Sequence, residues 1–149
     1  MKVLVLMGSP NDMDKMSVAA DTLEGFGVQA DVRVLSAHRN PEAVLALARS
    51  ARDEGYSAVI CGAGMAAHLA GAVAAHTTLP VIGVPLSGGA LNGIDALYST
   101  VQMPKGIPVA TVAIDGSVNA AILVLEMLSI TDETLESKLD DYRRDISGA

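Results

Sequence analysis

Five short runs of apolar and β-branched residues, each followed by a longer segment of helical pattern, constrain the fold of this 149-residue chain more than anything else in it. The runs are Val3–Met7, Ala30–Leu35, Ala58–Cys61, Pro80–Val84 and Val109–Ile114. Each is short and mostly apolar, which suits strands covered on both faces. No Asn-Gly or Asp-Gly hairpin turn joins one run directly to the next. Strands that alternate with helices and lack hairpins predict a parallel sheet with right-handed crossovers.

The helical segments carry their own punctuation. Asn40-Pro41 ahead of Val44, Leu45 and Ala48 predicts an N-cap followed by proline in the first turn, with Arg49 and Arg52 toward the carboxyl end of the dipole. Leu135, Leu139, Tyr142 and Ile146 form one stripe of an amphipathic C-terminal helix over about 132–146. Ser117–Leu128 is apolar nearly all round, which predicts burial, with a subunit boundary as one place for it. No linker, low-complexity tract or repeat interrupts the chain, so 1–149 reads as a single domain. The expected fold is a three-layer α/β/α sandwich with a five-stranded parallel sheet, flavodoxin-like.

Composition narrows the function classes. A chain near 150 residues buries roughly 68–70% of the surface exposed when unfolded, so no metal or disulfide staple is needed. The single Cys61 agrees. Ten Lys+Arg against seventeen Asp+Glu, a net charge of −7, argue against a nucleic-acid or anionic-membrane binder. The apolar stretch after Lys2 is too short for a signal segment, and the expected location is cytoplasmic. Most unusual are the forty residues from Gly55 to Ile94, which contain no Asp, Glu, Lys or Arg. Gly62, Gly64, His68, Gly71, His76 and Pro80 break that segment, so it offers no membrane span. A monomer would scatter charges over so long a surface. Part of the segment is therefore expected in a subunit interface of a homo-oligomer.

In parallel sheets, ligands bind outside the carboxyl ends of the strands. Gly8-Ser9-Pro10-Asn11-Asp12, Ser36-Ala37-His38-Arg39, Gly62 to Leu69, and Pro85 to Gly89 lie at those ends. In the first, Gly8 admits close backbone approach and Ser9 a hydroxyl for an anion at a helix start, while Asp12 suits a ribose diol. Simple helix capping by Ser9, Asn11 and Asp12 is the equal alternative. The second is the densest: the Ser36 hydroxyl, the His38 imidazole of a type that titrates near neutrality, and the Arg39 guanidinium fork. Arg39 and Ser36 suit a phosphate while His38 acts on the attached molecule; an exposed Arg beside a His bonded to a carbonyl is the plain alternative, which the position at a strand end disfavours. The third reads Gly-x-Gly-x-x-Ala, yet no acidic residue follows about 20 residues on, so a nicotinamide cofactor is not expected. Gly64, Ala66 and Ala67 instead leave room for a carboxylate or carbon dioxide beside His68, which otherwise reads as a core histidine.

Neither an ATP-type phosphate loop nor a Gly-x-Ser-x-Gly elbow is present. Three His and one Cys show no metal-ligand spacing. His76 and Cys61 read as structural, and Gln102–Pro108 as a rigid loop near the site.

Gly8-Ser9-x-x-Asp12, Ser36-Ala37-His38-Arg39-x-Pro41, Gly62-Ala63-Gly64-x-Ala66-Ala67-His68-Leu69 and Val101-Gln102-Met103-Pro104-x-Gly106-Ile107-Pro108 together resemble the PurE family of purine biosynthesis. The resemblance runs nearly the whole chain, in order and spacing. Asn11, Met65 and Ala70 depart from frequent Ser, Gly and Pro positions. The Ser-Ala-His-Arg form is similar to the bacterial N5-carboxyaminoimidazole ribonucleotide mutase branch. What the resemblance implies is an isomerase with His38 as catalytic acid–base and a ribotide held by Gly8, Ser9, Asp12, Ser36, Arg39, Ala66, His68 and Leu69. It also implies an octamer with sites at subunit boundaries and no metal, nucleotide or organic cofactor. Two rivals stand beside it: a carboxylase taking free carbon dioxide, and a ribotide-binding module that converts nothing.

Overall fold

Lys2–Met7 forms β1, the strand around which the rest is arranged, with Val3 through Met7 all buried. The computed structural model of the protein describes residues 1–148. After β1 come a 3-10 turn at Pro10–Asp12, α1 (Met13–Gly25), β2 (Gln29–Val34), α2 (Pro41–Ser50), β3 (Tyr56–Gly64) and α3 (Leu69–Ala74). They are followed by β4 (Val81–Leu86), α4 (Ile94–Val101), β5 (Ala110–Thr111), α5 (Ser117–Ser129) and α6 (Glu133–Ser147). All pairings are parallel and the strand order is β2-β1-β3-β4-β5, as expected of the flavodoxin-like sandwich. Alternate residues of β1 point to opposite faces. Val3, Val5 and Met7 join a core with α1, α5 and α6, whereas Leu4 and Leu6 join a second core with α2 and α3.

Several boundaries differ from the sequence expectation. β2 lies at the sheet edge and is largely exposed, so it is not covered on both faces; Asp31 and Arg33 pair across its surface at 2.8 Å. β3 continues through Gly62-Ala63-Gly64, which reads as a loop in sequence, because those residues pair with Val84, Pro85 and Leu86 of β4. β5 shrinks to two residues at the other edge.

Asn40 makes no side-chain cap. Ser36 orders that turn instead: its hydroxyl accepts from the Arg39 N–H at 3.2 Å and its carbonyl from the Asn40 N–H at 2.8 Å. Arg52 lies beyond α2 and donates to the Thr78 hydroxyl at 3.1 Å. The apolar helix α5 is buried within its own chain, between the sheet, α1 and α6. On α6 the Asp132 carboxylate caps the Leu135 N–H at 3.0 Å, and Leu135 and Leu139 are buried, but Ile146 is 64% exposed, so the stripe ends a turn early. Asn92-Gly93 and Asp115-Gly116 do form left-handed turns, with φ of 48° at Asn92 and 57° at Asp115, yet they open α4 and α5 rather than hairpins.

Much of the charge-free segment is explained without a partner. β3 and β4 are central strands buried on both faces, where a charge would be costly. Among the described residues no helix is long and apolar enough to cross a membrane.

Gly83 shows how closely β4 is packed. A Cβ there would lie 2.3 Å from Thr100 Cγ2 and 2.9 Å from Val109 Cγ1. Gly83→Ala is expected to cost ~2 kcal/mol by overpacking and to lower the thermal midpoint by about 4–8 °C. An unchanged midpoint in a melting experiment would show that α4 yields freely.

Candidate active site

The chain reverses its direction of travel across the sheet between β1 and β3, and that switch point opens a crevice at the strands' carboxyl ends. A cleft of about 350 Å³ lies there. Gly8, Ser9, Asp12, Ser36, His38, Arg39, Ala66, His68 and Leu69 all line it. The four loops converge because parallel crossovers return every strand end to one edge of the sheet.

Local hydrogen bonds prepare two hydroxyls. Ser9 Oγ accepts from the Asn11 N–H at 3.2 Å, and Ser36 Oγ accepts from the Arg39 N–H at 3.2 Å. Each serine thereby spends an acceptor lone pair on the backbone and keeps its O–H to donate outward. Ser9 thus caps the 3-10 turn and still presents a donor. A Cβ on Gly8 would meet nothing within 4 Å, so the backbone there faces open space. Arg39 is exposed, and none of the ion pairs among the described residues involves it. Asp12 makes no side-chain cap; partial burial pushes its carboxyl above the usual range, against smaller opposing effects of the Ser9 backbone and Lys15.

The imidazoles meet. His38 Nε2 lies 2.6 Å from His68 Nδ1, with the rings edge to face at 4.8 Å between centroids. One ring must donate and the other accept, so the two share a single hydrogen. His68 is exposed, not a core histidine. Leu69 is buried beneath the cleft in the second core. Met65 stands at φ 51°, a left-handed conformation that glycine adopts more cheaply, and the residue is 61% exposed.

Ser87, Gly88 and Gly89 close the side of the cleft beyond β4. The strand-end rule marks that loop without giving it a role. Sequence reasoning missed Lys15 and Asp115, which hold it; Asp115 follows β5 and the same rule reaches it, whereas Lys15 carries no sequence signal. Gln102–Pro108 does not line this cleft. Its Gly106, Ile107 and Pro108 border a larger cavity of about 900 Å³ with Arg49, Arg52 and His76, near the start of β4 and thus at the other end of the sheet. His76 Nδ1 bonds the Ala72 carbonyl at 2.9 Å, the structural role expected of it. Cys61 is buried in β3, where desolvation pushes its thiol pKa far up and leaves it inert. No three His, Cys, Asp or Glu side chains among the described residues converge as a metal site would require.

Fold and cleft together define a protein of the doubly wound α/β class with a small-molecule cleft at the strand ends. The sequence pattern of the AIR carboxylase family matches residues 2–148. The chain belongs to that family. It is 53% identical over 145 residues to the N5-carboxyaminoimidazole ribonucleotide mutase of Pyrococcus abyssi, covering 97% of this chain and 83% of that one. Identity to the Escherichia coli K12 protein of the same name is 47%, over 96% of this chain and 86% of that one. The crystal structure of Treponema denticola PurE superposes with a TM-score of 0.90 at 28% identity, covering 99% and 92% of the two chains.

Proposed function

We propose that the protein is an N5-carboxyaminoimidazole ribonucleotide mutase. It moves the carboxyl group from the exocyclic nitrogen to ring carbon C4, giving 4-carboxy-5-aminoimidazole ribonucleotide in purine biosynthesis. The observation that carries this reading is the paired His38 and His68, 2.6 Å apart, in a cleft that also presents Arg39, which makes no ion pair among the described residues. The names of the relatives support it.

Arg39 and the Ser9 and Ser36 hydroxyls take the phosphate, beside the open backbone at Gly8. Charge-assisted contacts of this kind are the strong ones. Asp12, uncapped and part-buried, accepts from the ribose hydroxyls. Protonated His38 gives its proton to the carbamate nitrogen; the N–C bond breaks, and carbon dioxide and the aminoimidazole remain. The ring is an enamine, so C4 attacks the trapped gas and forms the new C–C bond. The proton on C4 then returns to His38, restoring aromaticity and leaving no net proton change. One group serves as acid and then as base. The shared hydrogen with His68 orients the His38 ring. Ala66 and Gly64 leave space for the gas, and Leu69 supports that wall from below.

The working unit is a single catalytic domain over 1–149, in a cytoplasmic octamer with clefts completed at subunit boundaries. Leu91, Ile94, Tyr98 and Val101 support the assembly: Ile94, Tyr98 and Val101 follow helical spacing on α4, and all four are exposed, Tyr98 by 62%. An apolar face of that kind marks an interaction surface.

One experiment separates the rivals. Purified protein, with its mass measured by sedimentation, receives each ribotide without ATP at low bicarbonate while ring-carboxylated product is followed. Fast conversion of the carbamate ribotide by an assembly of eight is expected. Equal conversion of aminoimidazole ribonucleotide with carbon dioxide makes it a carboxylase, and binding without conversion makes it a sensor. Monomeric active protein would remove the octamer.

A further inference from the structure

Ser87 is tied at every polar group it has. Its N–H donates to Asp115 Oδ1 at 2.9 Å, its hydroxyl donates to Asp115 Oδ2, and Lys15 Nζ donates to its hydroxyl at 2.5 Å and its carbonyl at 2.9 Å. Lys15 and Asp115 also pair with each other at 3.1 Å. These residues come from the first turn of α1, the loop after β4 and the turn after β5, so three elements are clamped at one point.

The two residues beyond the clamp make no backbone hydrogen bond outside helices and strands among the described residues. Gly88 and Gly89 lie at φ 149° and 64°, conformations nearly closed to other residues, and they carry no side chain to anchor them. Both line the cleft. A Cβ on Gly89 would lie 3.2 Å from Met65 Cγ, which puts this loop against the turn bearing Ala66 and His68. Burial draws the Asp115 carboxyl pKa up, but hydrogen bonds from Ser87 and Lys15 outweigh it and hold the group below the usual range, so it stays charged in this role.

We propose that Lys15 and Asp115 are positioning residues that act through Ser87 to hold Gly88-Gly89 as a fixed wall of the ribotide cleft. The function of the wall rests on the mutase reading; the holding of the loop does not. Neither residue touches the reacting atoms. Their effect falls on the fraction of molecules whose cleft is ready for substrate, and apparent affinity scales with that fraction.

The test compares Lys15→Met and Asp115→Gly with the unmodified protein. Glycine suits φ 57°, so Asp115→Gly removes the carboxylate without straining the turn. In glycine-labelled protein, the backbone order parameters of Gly88 and Gly89 are expected to fall from about 0.85 to below 0.6 in both variants. KM for the carbamate ribotide is expected to rise roughly tenfold with kcat changed less than about threefold. Asp115→Asn, which keeps an acceptor for the Ser87 N–H, is expected to fall between. Order parameters and KM both unchanged in the first two variants would overturn the proposal, as would a loss confined to kcat. If the unmodified protein converts no ribotide, the mutase reading fails, while the order parameters still decide whether Lys15 and Asp115 hold the loop.

Discussion

His38→Asn is expected to abolish turnover while ribotide binding survives. Asparagine keeps the polarity and much of the volume of the imidazole but neither gives up nor gains a proton on the timescale of catalysis. Positioned proton transfer contributes about 10²–10⁴-fold, or roughly 3–5 kcal/mol of barrier. In the proposed mechanism His38 serves both the protonation of nitrogen and the deprotonation of C4, so both steps fail together, and the loss belongs at the upper end of that range or beyond. The phosphate and ribose contacts proposed above come from other residues, so the dissociation constant measured by calorimetry is expected to stay within about threefold. Near-normal turnover would take His38 out of the mechanism and turn attention to His68, its hydrogen-bonded neighbour at 2.6 Å.

Arg39→Ala is expected to weaken ribotide binding by about 1.5–3 kcal/mol, or roughly 10–150-fold in dissociation constant. The guanidinium has no ion-pair partner among the described residues, so removing it breaks no salt bridge that holds the fold. Its thermal midpoint is therefore expected to stay put while affinity falls. Arg39→Lys keeps the charge but loses the planar fork, which places it between the two. An exposed phosphate contact is also screened by salt, so the gap between wild type and Arg39→Ala narrows as ionic strength rises. An affinity unchanged in Arg39→Ala would contradict the phosphate assignment.

The convergence of the nine candidate residues was legible from sequence because the parallel sheet does the gathering. Once Val3–Met7 and its counterparts are read as strands joined by helices, geometry brings Gly8, Ser36, His38 and His68 to one edge, whatever their separation in the chain. Helix ends were less legible. Asn40 has the right side chain for a cap, but Ser36 already orders the turn, and only the turn's hydrogen bonds show which residue holds it. Strand length was illegible at Gly62-Ala63-Gly64 because small residues look like a loop in isolation. They form strand because β4 pairs with them, and position 62 is glycine because Met16 fills the space beside it, where a Cβ would come within 2.2 Å of its sulfur.

Sequence by itself determined the class of fold, the edge of the sheet where polar side chains gather and which residues gather there, since periodicity and strand-end position are local properties. Only the tertiary structure decided that the His38 and His68 rings share a hydrogen, that β2 is an exposed edge, and that Lys15 reaches Ser87 across 72 residues of chain. Such partnerships depend on strand order, register and rotamer. Those are settled by how the whole chain packs, and no window of neighbouring residues contains them.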